Sequence, residues 1–162
     1  MALLLKDGRV IDDDWITASD DLDSLPVSGK FLLSYSQWQQ FADQLVQENE
    51  NVGIWLQGDT DIEAIIEPLL NLPVIAIKFA KFVDGRGFSL ARLLRERFQY
   101  VGELRAIGDI MRDQLYLLKH CGFNAFQLDA NADPEQAAQS LLDFSNSYQA
   151  STEQSIPLFR RR

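Results

Sequence analysis

From Phe31 onward, short apolar runs alternate with amphipathic segments, and turn-forming residues separate them. Runs of four or five apolar residues between Gly, Pro or polar clusters predict buried strands. Apolar residues three and four apart predict helices packed on those strands. Phe31-Leu-Leu-Ser34 is the first such strand, and Ser36 is placed to cap a helix from about Gln37 to Glu48 through Trp38, Phe41, Leu45 and Val46. Val52-Gly-Ile-Trp-Leu56 follows, then a helix capped within Gly58-Asp-Thr-Asp61 that carries Ile62, Ile65, Ile66 and Leu69. Pro73 stops that helix, and Val74-Ile-Ala-Ile77 is the third strand.

After a longer connection, Ser89 is placed to cap a helix with Leu90, Leu93, Leu94 and Phe98, and Glu103–Ile107 predicts a fourth strand. Asp109 is placed to cap the next helix (Ile110, Met111, Leu115, Leu118), which stops at Cys121-Gly122. Ala125-Phe-Gln-Leu128 is the fifth strand, and Asp133-Pro134 supplies an N-cap and an N1 proline for a last helix to about Tyr148. Ahead of this rhythm, Leu3–Lys6, the Asp7-Gly8 turn and Arg9–Ile11 predict a hairpin, and the polar stretch to Gly29 reads as an irregular linker.

Five successive strand–helix units predict an α/β fold with repeated βα units and a mainly parallel sheet, plus the small N-terminal β-hairpin. Periodicity leaves two architectures open: an open three-layer sheet, or a partial (β/α) barrel. The 162 residues read as a single domain, with hairpin and linker over 1–28, the βα core over 29–149 and a loose basic tail over 150–162. In either architecture the loops after the strand C-termini build the site. Four of them are short. The third, Phe79–Phe88, is about ten residues long, a length that favours function.

Composition sharpens that choice. The chain is net −9, which argues against broad nucleic-acid or anionic-membrane binding. Yet Lys78 to His120 holds nine basic residues against five acidic ones, so this stretch is net +4. Within it, Gly85 and Gly87 bracket Arg86 just ahead of a predicted helix start at Ser89. Such a start attracts anions, and Arg86 adds a planar grip for phosphate, sulfate or carboxylate, with Lys81 as a second charge. Arg105 lies inside an apolar strand and needs an acid, for which Asp84 or Asp109 is the expected partner. Asp109 and Asp113 share a predicted helix face, with Arg112 beside them. Ligand-binding candidates are therefore Lys81, Gly85, Arg86, Gly87, Ser89, Arg105, Gly108 and Arg112, and Asp84, Asp109 and Asp113 are the carboxylates available for acid–base catalysis. Arg92, Arg95 and Arg97 read as a solvated helix face, His120 as a helix C-terminal cation and Cys121 as a small core residue.

Other chemistries lack their motifs. Gly85-Arg-Gly87 does not complete a dinucleotide fingerprint, because the third position is Leu90. One His and one Cys exclude a zinc or iron–sulfur set, so neither a metal nor a cofactor is expected. With no long apolar run and no recognisable signal peptide, no membrane association is expected and the anticipated compartment is the cytoplasm.

The stretch from Phe79 to Phe98, continuing into Gly102-Glu-Leu-Arg-Ala-Ile-Gly-Asp109-Ile-Met-Arg-Asp113 and Cys121-Gly-Phe-Asn-Ala-Phe126, resembles the bacterial family known as domain of unknown function 934. Its members carry the label of probable oxidoreductases involved in sulfite reduction, which rests on genes beside those of sulfite or nitrite reductase. The resemblance implies Asp84, Gly85, Arg86, Gly87, Ser89, Arg92, Arg95, Arg105, Gly108, Asp109, Arg112 and Asp113 as characteristic residues. It implies a role in assimilatory sulfur metabolism, with sulfite reductase or another sulfur-assimilation enzyme as partner. Three readings follow: an accessory protein binding an oxyanion or phosphorylated ligand at the Gly/Arg-rich loop, a small enzyme acting on a phosphorylated or sulfated compound, and a ligand-free adaptor docking on the reductase.

Overall fold

The apolar runs become strands of one sheet. The computed structural model describes residues 3–45, 49–80 and 85–141. Strands β1 (Leu3–Lys6) and β2 (Arg9–Asp12) form the hairpin. They are followed by β3 (Trp15–Thr17), β4 (Lys30–Ser34), β5 (Val52–Gln57), β6 (Val74–Phe79), β7 (Glu103–Gly108) and β8 (Ala125–Leu128). Asp7 and Gly8 both take positive φ, 50° and 80°, as the Asp-Gly hairpin turn requires. The strand order is β2-β1-β8-β7-β6-β5-β4-β3. Strands β3 to β8 run parallel to one another, and β1 is antiparallel to both its neighbours.

The ends of that order decide between the two architectures. β2 and β3 are the outermost strands, yet only Asp13 and Asp14 separate them in sequence. Three Cα steps reach at most roughly 11 Å, whereas eight strands laid flat would hold their edges about 34 Å apart. The sheet must therefore curl until its edges approach, and the partial-barrel form is the one adopted. Consecutive right-handed crossovers then leave the helices on the outer face.

Alternation along the strands separates two cores. Ile54, Leu56, Ile75, Ile77, Leu104, Ala106 and Phe126 face outward, packed with helix residues such as Leu90, Leu94, Leu115 and Leu118. Leu32, Val74, Ala76 and Ile107 face inward with Trp15 and Trp55.

The helices differ from the sequence reading mainly at their starts. The first is capped by Ser34, not Ser36, because Gln37 closes a reciprocal box. Its backbone N–H donates to Ser34 Oγ, and its side-chain oxygen accepts from the Ser34 N–H at 3.0 Å. That helix is interrupted at Phe41 into α1 (Tyr35–Gln40) and α2 (Ala42–Leu45). A 3-10 turn, Ile62–Ala64, precedes α3 (Ile66–Leu69), and α4 (Arg86–Arg92) runs on into a π turn, Leu93–Arg97. The 3-10 turn Arg112–Gln114 precedes α5 (Leu115–Cys121), which ends on Gly122 at φ 115°. Asp133 caps α6 (Pro134–Ser140) by accepting from the Glu135 and Gln136 N–H groups. The expected continuation to Tyr148 and the basic tail lie outside the described residues. β3 forms within the expected linker, since three residues are too short to show an alternation.

An ion-pair cluster occupies the interior. Arg105 on β7 is 1% exposed; its Nε donates to Glu103 at 2.7 Å, and its Nη1 straddles both Asp13 oxygens at 2.9 and 3.0 Å. Lys6 on β1 reaches the other Glu103 oxygen at 2.8 Å. Asp13 also accepts from the Trp15 N–H, which shapes the link between β2 and β3. The acid that Arg105 needs is thus supplied by Asp13 and Glu103 rather than by Asp84 or Asp109. Arg105→Ala leaves Asp13 buried without its counter-charge and should cost about 3–5 kcal/mol, read as a lower urea midpoint, whereas Arg97→Ala, an exposed pair with Glu63, should move it by at most about 1 kcal/mol.

Candidate anion site at the strand C-terminal rim

Parallel strands deliver their following loops to one rim, where sites of curled α/β sheets are built. Here the loop after β5 and the start of α4 border an open surface cavity of about 330 Å³ lined by Gly58, Asp59, Thr60, Arg86, Ser89 and Leu90. Thr60 also walls a second cavity of about 310 Å³, with Asp20, Ser34, Tyr35, Trp55 and Gln57. The two adjoin across that residue.

Close packing places Arg86 at this rim. A Cβ on Gly87 would strike the Phe79 ring, and one on Gly58 would come 2.9 Å from the Gly87 nitrogen. The two glycines let the start of α4 settle against β6 and the loop after β5. Gly87 is therefore needed for backbone packing, whereas Gly85 opens on free space. Arg86 begins α4, so Ser89 lies one turn inside the helix rather than capping it. The Arg86 side chain is 64% exposed, with Nη1 3.6 Å from the exposed Asp59 carboxylate.

The other expected site residues scatter. Arg105 is the interior ion described above and does not line the rim cavity. Gly108 takes φ 92°, and a Cβ there would collide with the Phe79 carbonyl oxygen. The collision arises where the Asp109 N–H donates 2.8 Å to that same oxygen. Asp109 stands ahead of the 3-10 turn that holds Asp113, so the two do not share a helix face; both are exposed. Arg112 donates to Gln136 at 2.7 Å and lines a separate cavity of about 280 Å³ with Asp129 and Asp133. Lys81 and Asp84 lie outside the described residues.

The arginines of α4 and its π turn divide. Arg92 and Arg97 pair with Glu96 and Glu63 on the surface, as a solvated face would. Arg95 instead ties three carbonyls together, those of Tyr100, Gly102 and Gly122, at 2.7–2.9 Å. Burial pushes its pKa down and pushes that of the Tyr100 hydroxyl, which donates to Leu72 O, well up. Cys121 sits in the outer core, and burial raises its thiol pKa, keeping it an unreactive neutral group.

Sequence reasoning missed Trp55 and Lys78. Lys78 projects from the C-terminal end of β6 with its Nζ 5.1 Å from the Trp55 ring centroid. The signal was available: Ser34, Gln57 and Lys78 are polar residues at the C-terminal ends of strands that are otherwise apolar.

A model of the family described as bacterial protein of unknown function (DUF934) matches residues 53–159. The chain belongs to that family. No curated protein and no solved structure matches it. The DUF934 match starts at Gly53 in β5 and so takes in the Arg86 cavity, Trp55, Lys78 and Arg105, while Asp13 and Ser34 lie ahead of it. Among the described residues of this DUF934 chain, no helix is long and apolar enough to cross a membrane.

The packing role of Gly108 is open to test. Gly108→Ala combines a positive φ with a backbone collision and should cost roughly 2 kcal/mol or more, seen as a lower melting temperature. Gly85→Ala, with open space around it, should leave the melt within about 1 kcal/mol of the parent.

Proposed function

We propose that this DUF934 protein is an accessory component of assimilatory sulfite reduction and sulfur metabolism that binds a small oxyanion or a phosphorylated ligand at the rim cavity. The observation that carries the reading is the placement of Arg86. An exposed guanidinium stands over a cavity that also presents the hydroxyl-bearing Ser89 and Thr60. Thr60 Oγ1 donates to the Gln57 carbonyl at 2.7 Å, which leaves Ser89 and Arg86 as the donors for a ligand oxygen. Arg105 is removed from the ligand set, because its Nε and Nη1 are committed to Glu103 and Asp13.

The sulfur assignment is supported by the family resemblance, and on the same ground the partner is sulfite reductase or another sulfur-assimilation enzyme. A net charge of −9 turns the protein away from nucleic acid, and Arg86 is the cation of the rim cavity that a small anion would meet.

Thermal melts against sulfate, sulfite, phosphate and an adenylyl sulfate test the reading, since a ligand well above its Kd raises the melting temperature by mass action. One of these anions should raise it, and Arg86→Ala should weaken that ligand about ten- to hundredfold. A parent melt unmoved by all four, or an equal shift in Arg86→Ala, rejects the site.

A further inference from the structure

Inside the curled sheet, two N–H donors are buried with no hydrogen-bond partner among the described residues: Nη2 of Arg105 and Nε1 of Trp55. They belong to one row. Trp55 is paired with Ala76 and Ala76 with Arg105, so the three side chains share the inner face with the smallest in the middle. The outer two Cα atoms stand two ladder steps apart, about 10 Å. A long side chain thus flanks the alanine on each side.

The arginine grip explains why one nitrogen is left over. A guanidinium facing a carboxylate end-on uses both terminal nitrogens. Arg105 instead sets Nη1 astride both Asp13 oxygens and Nε on Glu103, so Nη2 has no role in the ion cluster. Neither an indole nor a guanidinium can accept. What completes the row must therefore be an acceptor, and buried donors left unmade are costly enough that native proteins rarely keep them.

The surrounding charge sets the class of acceptor. Asp13 and Glu103 balance Arg105 and Lys6, and Lys78, beside the Trp55 ring, adds one positive charge at the open end. Asp20, on the wall of the adjoining cavity, opposes a polyanion. Trp55 lines that same cavity, so one member of the row also borders the rim. From this juxtaposition we infer that the row Trp55–Ala76–Arg105 is a second, interior binding position for a small monoanion of the size of formate or nitrate. One of its oxygens accepts from both donors. The position is independent of the Arg86 cavity, and its failure would leave that reading untouched.

The indole proton reports on it directly. The chain has three tryptophans, Trp15, Trp38 and Trp55, so its proton–nitrogen spectrum carries three indole signals, and Trp55→Phe identifies the one concerned. Titration with sodium formate at constant ionic strength should move the Trp55 signal downfield and saturably while the other two stay. Ala76→Val, which fills the space between the donors, should abolish the movement. Arg86→Ala should preserve it while losing the rim ligand. Should Ala76→Val not fold, Arg105→Lys keeps the positive charge but removes Nη2 and serves in its place. A Trp55 signal unmoved by formate and nitrate overturns the inference. So does an equal movement in the blocked variant, or a long-lived water detected against the indole proton as its acceptor.

Discussion

The pairing of Arg105 with Asp13 is the contact on which closure of the sheet depends. It joins β7, in the middle of the sheet, to the two-residue link between the outermost strands. The backbone pairings are between neighbours in the order and could form in a flatter sheet. Asp13 sits in the link that brings the two edges together, so its pair with Arg105 forms once they have come round. Burying the ions is costly, and the cost is offset only where the geometry is complete. Here Glu103 and Lys6 complete it, and the same set fixes β1 against the end of β7.

The outer fold was legible because it follows from local pattern. Each apolar run from Phe31 to Leu128 became a strand, and Ala125–Leu128 has the bounds that its sequence suggested. The Asp-Gly hairpin and the Cys121-Gly122 stop were legible for the same reason, as both are dictated by residues adjacent in the chain. Curvature was not. It depends on β2 and β3 falling at opposite ends of the order, and no window of sequence reports strand order. β3 itself was hidden, since it is held by pairing to β4 rather than by its own three residues.

The candidate site shows the same division. That Arg86 lies beside a helix start at the strand C-terminal rim could be anticipated from glycines flanking an arginine after an apolar run, but the helix begins at Arg86 itself and not at Ser89. That Gly87 and Gly108 serve packing against Phe79 could not, because the obstacle in each case comes from β6. Arg105 was rightly marked as an ion needing an acid, but its acids proved to be Glu103, two residues back, and Asp13, 92 residues away. A basic stretch that looks like one site in sequence is spread across a surface rim, a helix clamp at Arg95 and an interior pair. Clustering in sequence is a poor guide to clustering in space where strands turn alternate residues to opposite faces.

The two-residue link also constrains how the protein is made. The hairpin is synthesised ahead of the strand it must join, since β8 follows β1 about 120 residues later. At ordinary elongation speeds that delay is on the order of ten seconds, during which Leu4 and Leu5, both buried in the finished fold, have no sheet to cover them. The parallel units can assemble in turn behind the hairpin as they are synthesised. The hairpin strands, made before the rest of the sheet, are then the last to be locked in place, and the nascent chain must keep their apolar surface apart from other proteins until β8 has been made.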